Sequence, residues 1–183
     1  MKNTPQTSYD TELSILINKY ATPLAILLTA LGIVLSQPTG AVRIISLSLL
    51  VFGIVLNTVT LYAIKRSTET KAWFMELRMC LNLGVNTILV YFLGAYWPPI
   101  WLLLALTPVA TAVYSTRAQT LRVSGGVSFL LLVIHAARRL NSPAEWGQQI
   151  ACVIFILLLS LMINELAHAT KLSKTKWNSS PSP

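Results

Sequence analysis

Hydrophobic residues fall into long blocks along this chain, separated by short polar and basic intervals. Neither an α-helical stripe nor a strand-like alternation organises them. The longest block, Met79 to Tyr114, contains no Lys, Arg, Asp or Glu. A helix crossing about 30 Å of hydrocarbon needs roughly 20 residues, so this block is too long for one crossing. Pro98-Pro99 divides it, because proline lacks an N–H and drives the preceding residue out of the α region. The pattern predicts one helix arriving at Trp97 and a second leaving from Ile100. Tyr96, Trp97 and Trp101 cluster at that turn, where amphipathic rings favour the headgroup level. The same reading along the chain predicts six spans, at about 21–36, 43–64, 79–97, 100–115, 121–137 and 148–167. The predicted fold is all-α: a polytopic membrane bundle of six transmembrane helices. Residues 1–20 form a cytoplasmic tail, 21–167 the membrane domain and 168–183 a basic disordered tail.

Turn chemistry marks several joints. Gln37-Pro38-Thr39-Gly40 is a turn signal between the first two spans. Ser142-Pro143-Ala144-Glu145 has the form of a capping box with proline at N1 and predicts the start of the last helix, with Trp146 as an interface anchor. The stretch KRSTETKAWFMELRM mixes charge with Trp73, Phe74, Met75 and Leu77, and suits a helical extension or interfacial helix. The first 20 residues lack a basic segment running directly into a short apolar core with a cleavage site, so a cleaved signal peptide is not expected.

Composition agrees with the pattern: 54% of the 183 residues are hydrophobic and only 11% charged, with mean hydropathy +0.63, outside the range of soluble domains. The net charge of +8 adds orientation. Lys2, Lys19, Lys65, Arg66, Lys71, Arg78, Arg117, Arg122, Lys171, Lys174 and Lys176 fall on one side of a six-span arrangement. Arg43, Arg138 and Arg139 fall on the other. The basic-rich side is cytoplasmic by the positive-inside rule, which places both termini inside. The basic residues also suit anionic lipid headgroups, and no basic-aromatic module for nucleic acid accompanies them.

Polar residues within the spans are the candidates for chemistry, because lipid disfavours them. Asn57, Asn82, Asn86 and Asn164 form one candidate layer in the cytoplasmic half, together with Thr111, Ser124 and Ser128. Asn82 and Asn86 are four residues apart and share a helix face. Two readings stand: interhelical hydrogen bonds holding the bundle, or a polar pocket or proton path opening to the cytoplasm. No carboxylate stands at mid-depth, which disfavours ion-coupled transport. His135 and His168 fall at opposite faces, so one chain does not offer two histidines to one haem. His135, close to Arg138 and Arg139, reads either as an interface histidine or as a contact for an anionic or quinone headgroup. Cys80 and Cys152 also fall at opposite faces, which excludes pairing within the chain, and neither has a metal-ligand spacing. No GxSxG, P-loop, CxxC or HExxH motif occurs, so no catalytic or metal residue is assigned.

The run Leu93-Gly94-Ala95-Tyr96-Trp97-Pro98-Pro99-Ile100-Trp101-Leu102-Leu103, with Thr107-Pro108-Val109 after it, resembles the hairpin between spans three and four in the six-span input domain of bacterial sensor histidine kinases of the RegB/PrrB type. That family's turn has the form Gly-Gly-x-x-Asn-Pro-Phe, followed by a leucine-rich run and Pro-Val. Here Ala95 stands at the second glycine, Trp97 or Pro98 at the asparagine and Ile100 at the phenylalanine. The resemblance covers about residues 20–167 in layout and only the hairpin in residues. It implies a sensor role without a kinase core, with quinone as a cofactor by resemblance only. The sequence reading is therefore a non-enzymatic signal-transduction module detecting a lipophilic ligand or a membrane partner, with protein partners or further copies of itself in the bilayer. The candidate ligand residues are Tyr96, Trp97, Pro98, Pro99 and Trp101, with plain interface anchoring as their other reading. The alternative function is a small transporter or an accessory subunit of a larger membrane complex.

Overall fold

In the computed structural model, which describes residues 5–66, 71–138 and 142–178, every described element is helical. Helix α1 spans Pro5–Ser36, α2 Gly40–Arg66, α3 Lys71–Leu93, α4 Leu102–Ala112, α5 Arg117–Ala137 and α6 Pro143–Asn178. A 3-10 turn, Pro98–Trp101, precedes α4. Three helical stretches are long and apolar enough to cross a membrane: Gly40–Thr60, Arg117–Ala137 and Pro143–Thr170. Three shorter apolar helices are Tyr20–Ser36, Met79–Leu93 and Pro98–Ala112. The chain is a membrane protein by composition and by helix length.

Several boundaries differ from those expected. The third helix ends at Leu93 and not at Trp97. Gly94 begins a turn in which the Tyr96 and Trp97 amides both donate to the Leu93 carbonyl, at 3.0 and 2.9 Å. Trp97 precedes a proline and is extended (φ −140, ψ 91), so it could not have been the last helical residue. Helix α1 begins at Pro5, and α6 continues to Asn178. The basic stretch expected to be disordered is thus helical through Asn178, because an established helix propagates readily into neighbouring Lys, Ser and Thr. Residues 179–183 lie outside the described residues. The extension expected before span three is the first part of α3 from Lys71; residues 67–70 lie outside the described set.

Helix ends follow local chemistry. At Gln37 the backbone turns left-handed (φ 43), a conformation that ends helices, and Pro38 follows. Thr116 caps α5 through a complete capping box with Gln119. At the start of α6 the Ser142 amide donates to the Glu145 carboxylate at 3.2 Å, as the Ser-Pro-Ala-Glu spacing predicts.

The chain divides at Pro108, inside α4. In the unit of residues 18–107, α2 packs against α3, and Gly32 of α1 faces Leu93 and Trp97. In the unit containing residues 108–183, α5 packs against α6. The core of the first includes Val90, Leu93, Ile100, Leu103 and Leu104; that of the second includes Val127, Leu131, Ile134 and Ile156. Large apolar side chains such as Val51, Phe52, Val59, Phe129, Leu158 and Leu166 face outward, as lipid allows.

Hydroxyl groups within the helices turn back onto their own backbone. Thr29 donates to the Ala25 carbonyl, Thr58 to Ile54, Thr87 to Leu83, Ser124 to Thr120 and Ser160 to Ile156, at 2.7–2.9 Å. Such bonding four residues back satisfies a hydroxyl without water.

Candidate functional site

The hairpin at residues 94–101 is built around its two prolines. Pro98 and Pro99 occupy the first positions of the 3-10 turn, where the missing N–H groups would have had no partner. Ile100 is fully buried beneath them. The half-buried Trp97 ring lies where a side chain on Gly32 would be: a Cβ there would sit 2.9 Å from Trp97 Cε3 and 2.8 Å from Leu93 Cδ2. The Tyr96 hydroxyl is 3.3 Å from Thr39 Oγ1 in the α1–α2 connection. Ser36 Oγ donates to the carbonyl of the same Gly32. Pro98 and Pro99 are exposed and Trp101 is half-buried. Two of the five aromatic-turn candidates, Tyr96 and Trp97, therefore tie α1 and the α1–α2 connection to the end of α3.

Asn57, Asn82 and Asn86 lie in the unit of residues 18–107 and Asn164 in the other. Asn57 and Asn82 exchange two carboxamide bonds between α2 and α3, each 3.2 Å, and Asn57 also donates to the Gly53 carbonyl at 2.9 Å. Asn86, one turn on from Asn82, donates to the Leu103 carbonyl at 3.2 Å. Asn164 is engaged within the other unit, donating to the carbonyls of Ala112 and Ser115 at 2.7 and 2.9 Å. There it satisfies acceptors that the end of α4 leaves without helical partners. Each of the four asparagines thus makes at least one bond beyond its own helix. Beside Asn164, Ser115 and Thr120 hydroxyls meet at 3.0 Å, and Arg117 pairs with Glu165 at 3.5 Å on an exposed surface.

His135 was expected near a face of the bilayer, and its burial was not. It is 2% exposed, its ring stands edge-on to Trp146 with centroids 4.8 Å apart, and neither ring nitrogen has a hydrogen-bond partner among the described residues. Gln149 Oε1, one turn after Trp146, and Ser128 Oγ, two turns before His135, are also buried without partners. The only sequence signal for this cluster was the proximity of His135 to the Ser142 cap, which folds α6 back along α5. Cys80 is exposed and Cys152 buried, both free. Among the described residues no group of three His, Cys, Asp or Glu side chains is placed to hold a metal ion. Comparison with known protein families, characterised proteins and solved structures finds no match to this chain.

Proposed function

We propose that this chain is a six-span, non-enzymatic module of a bacterial cytoplasmic membrane, with both termini inside, that detects a lipophilic ligand or a membrane partner at its α3–α4 turn. The observation that carries this reading is the double tether of that turn: Trp97 against Gly32, and Tyr96 against Thr39. A ligand or partner that moves either ring acts on α1 and on the entrance to α2 at once. The signal then leaves through helices that reach the cytoplasm, toward another protein. The charge distribution supports the orientation, and the outward-facing apolar residues of α2 support contact with lipid or with a neighbouring helix.

An accessory subunit of a larger complex is the second reading. It is favoured by α2, whose Ile44, Leu47, Val51, Phe52, Val55 and Val59 are exposed, leaving the face away from α3 open to partner helices. The two separate on extraction in mild detergent followed by mass spectrometry of co-purifying proteins and lipophilic molecules. A stoichiometric small molecule, lost when Trp97 and Trp101 are replaced by Ala, is the expected result for a sensor. A fixed set of protein subunits with no small molecule overturns it in favour of the accessory role.

A further inference from the structure

The α5–α6 pair holds several buried polar atoms without partners among the described residues; Asn164 Oδ1 is one, well along α6, and the others group toward the end where the two helices are joined. His135 lies in the last turn of α5 with both imidazole nitrogens unpartnered, and Gln149 Oε1 lies in the second turn of α6 in the same condition. Trp146, one turn before Gln149, touches the His135 ring edge-on. Ser128 Oγ follows on the buried face of α5. Farther along the same two helices, Ser124 and Ser160 are satisfied by their own backbones. A buried polar group without a partner is unfavourable by about 1–3 kcal/mol, and folded proteins hold few of them.

The kinds of atom present select the ligand. A neutral imidazole offers one donor and one acceptor, a carboxamide oxygen only accepts, and a serine hydroxyl does both. A carboxylate or phosphate brings acceptors alone, and would leave Gln149 Oε1 unmatched against a negative charge. An ammonium brings donors alone and would leave the imidazole N–H unmatched. A hydroxyl both donates and accepts, so a molecule that carries hydroxyls offers each of these groups the kind of partner it lacks. The neighbouring Leu131, Ile134, Cys152 and Ile156 are buried and suit the alkyl part of such a molecule.

We propose that the α5–α6 hairpin binds a hydroxyl-bearing ligand, a glycerol-type headgroup or a free polyol, through His135 and Gln149 beside Trp146. This site is separate in sequence from the α3–α4 turn and does not depend on the role proposed for it.

The chain has two histidines, so His168→Gln leaves His135 as the sole imidazole. The full chain with that substitution, labelled with ¹⁵N-histidine, is placed in phosphatidylcholine nanodiscs. It is titrated with phosphatidylglycerol in one arm, phosphatidylserine in a second and free glycerol in a third. A saturable displacement of the imidazole nitrogen resonances with phosphatidylglycerol or with glycerol is the expected result, and the responding arm identifies the source. The response weakens at least about tenfold in Gln149→Leu with helix content unchanged, the loss expected for one good hydrogen bond. Gln149→Met serves the same comparison if the leucine variant does not fold. No displacement in either hydroxyl arm overturns the proposal, as does an equal displacement with phosphatidylserine or an undiminished one in both Gln149 variants.

Discussion

Asn57 on α2 and Asn82 on α3 present their carboxamides to each other and exchange two hydrogen bonds of 3.2 Å. Each amide supplies the donor that the other's oxygen requires, so the pair is matched within itself and fixes the rotation of the two helices. Replacing Asn82 with Ala removes both bonds. In membrane proteins such contacts are worth about 0.6 kcal/mol on average and up to about 1.7. We expect Asn82→Ala to lose stability in that range. The double Asn57→Leu, Asn82→Leu variant should lose less than the sum of its single variants, because neither partner is then left unsatisfied. Reversible unfolding in mixed micelles measures the cycle; strictly additive losses would remove the pair from the account of helix packing.

Gly32 makes a sharper case. A Cβ at this position would meet Leu93 Cδ2 at 2.8 Å and Trp97 Cε3 at 2.9 Å, and an indole ring held in a tight turn has little room to retreat. Gly32→Ala is expected to be unfavourable by about 1–3 kcal/mol. Gly84→Ala, where nothing lies within 4 Å, should be neutral or stabilising by up to about 1 kcal/mol, since alanine is the better helix former. Melting temperatures of the two variants in one detergent provide the comparison, and equal shifts would contradict the packing of Trp97 on α1.

Thr116 predicts a loss of another kind. Its hydroxyl accepts from the Gln119 amide at 3.4 Å, while the Gln119 side chain accepts from the Thr116 amide at 3.1 Å. Thr116→Ala should reduce stability by about 1 kcal/mol, and Thr116→Ser should restore most of it. An alanine variant that unfolds indistinguishably from the native chain would show that the cap contributes nothing.

These contacts show which features were legible in the chain. The division at Pro98-Pro99 was, because proline acts on the backbone wherever it stands. The end of α3 was misplaced by four residues because hydropathy continues through Gly94–Trp97 while the backbone does not. The far ends of α1 and α6 were missed for the opposite reason: a helix propagates past the last apolar residue. Asn82 and Asn86 were placed on one face by their spacing, but spacing names no partner, and one turned to Asn57 while the other turned to the Leu103 carbonyl. The Thr116–Gln119 box has the same readable form as Ser142–Glu145 and lay inside a loop taken only for its charge. The burial of His135 depends on how α5 and α6 pack, which a single sequence does not state.

The number of crossings gives the final prediction. The apolar parts of α1 and α3, Tyr20–Ser36 and Met79–Leu93, are roughly 26 and 22 Å long at 1.5 Å per residue, a few Å short of a core of about 30 Å. The 3-10 turn with α4, Pro98–Ala112, is of similar length, roughly 25 Å from the rises of the two helix types. A deficit of a few Å against a 30 Å core is met by local thinning at fractions of a kcal/mol per Å. Trp97 and Tyr114 flank the segment as candidate interfacial anchors. We therefore expect six crossings. In a Cys80→Ser, Cys152→Ser background, single cysteines replacing Thr39, Ala95 and Ser142 should react with a membrane-impermeant maleimide from outside intact cells. Cysteines replacing Thr116 and Thr170 should react only after the membrane is opened. If only the three long stretches crossed, Thr170 would lie on the side opposite the N-terminus, and labelling of that cysteine from outside would reject the six-span arrangement.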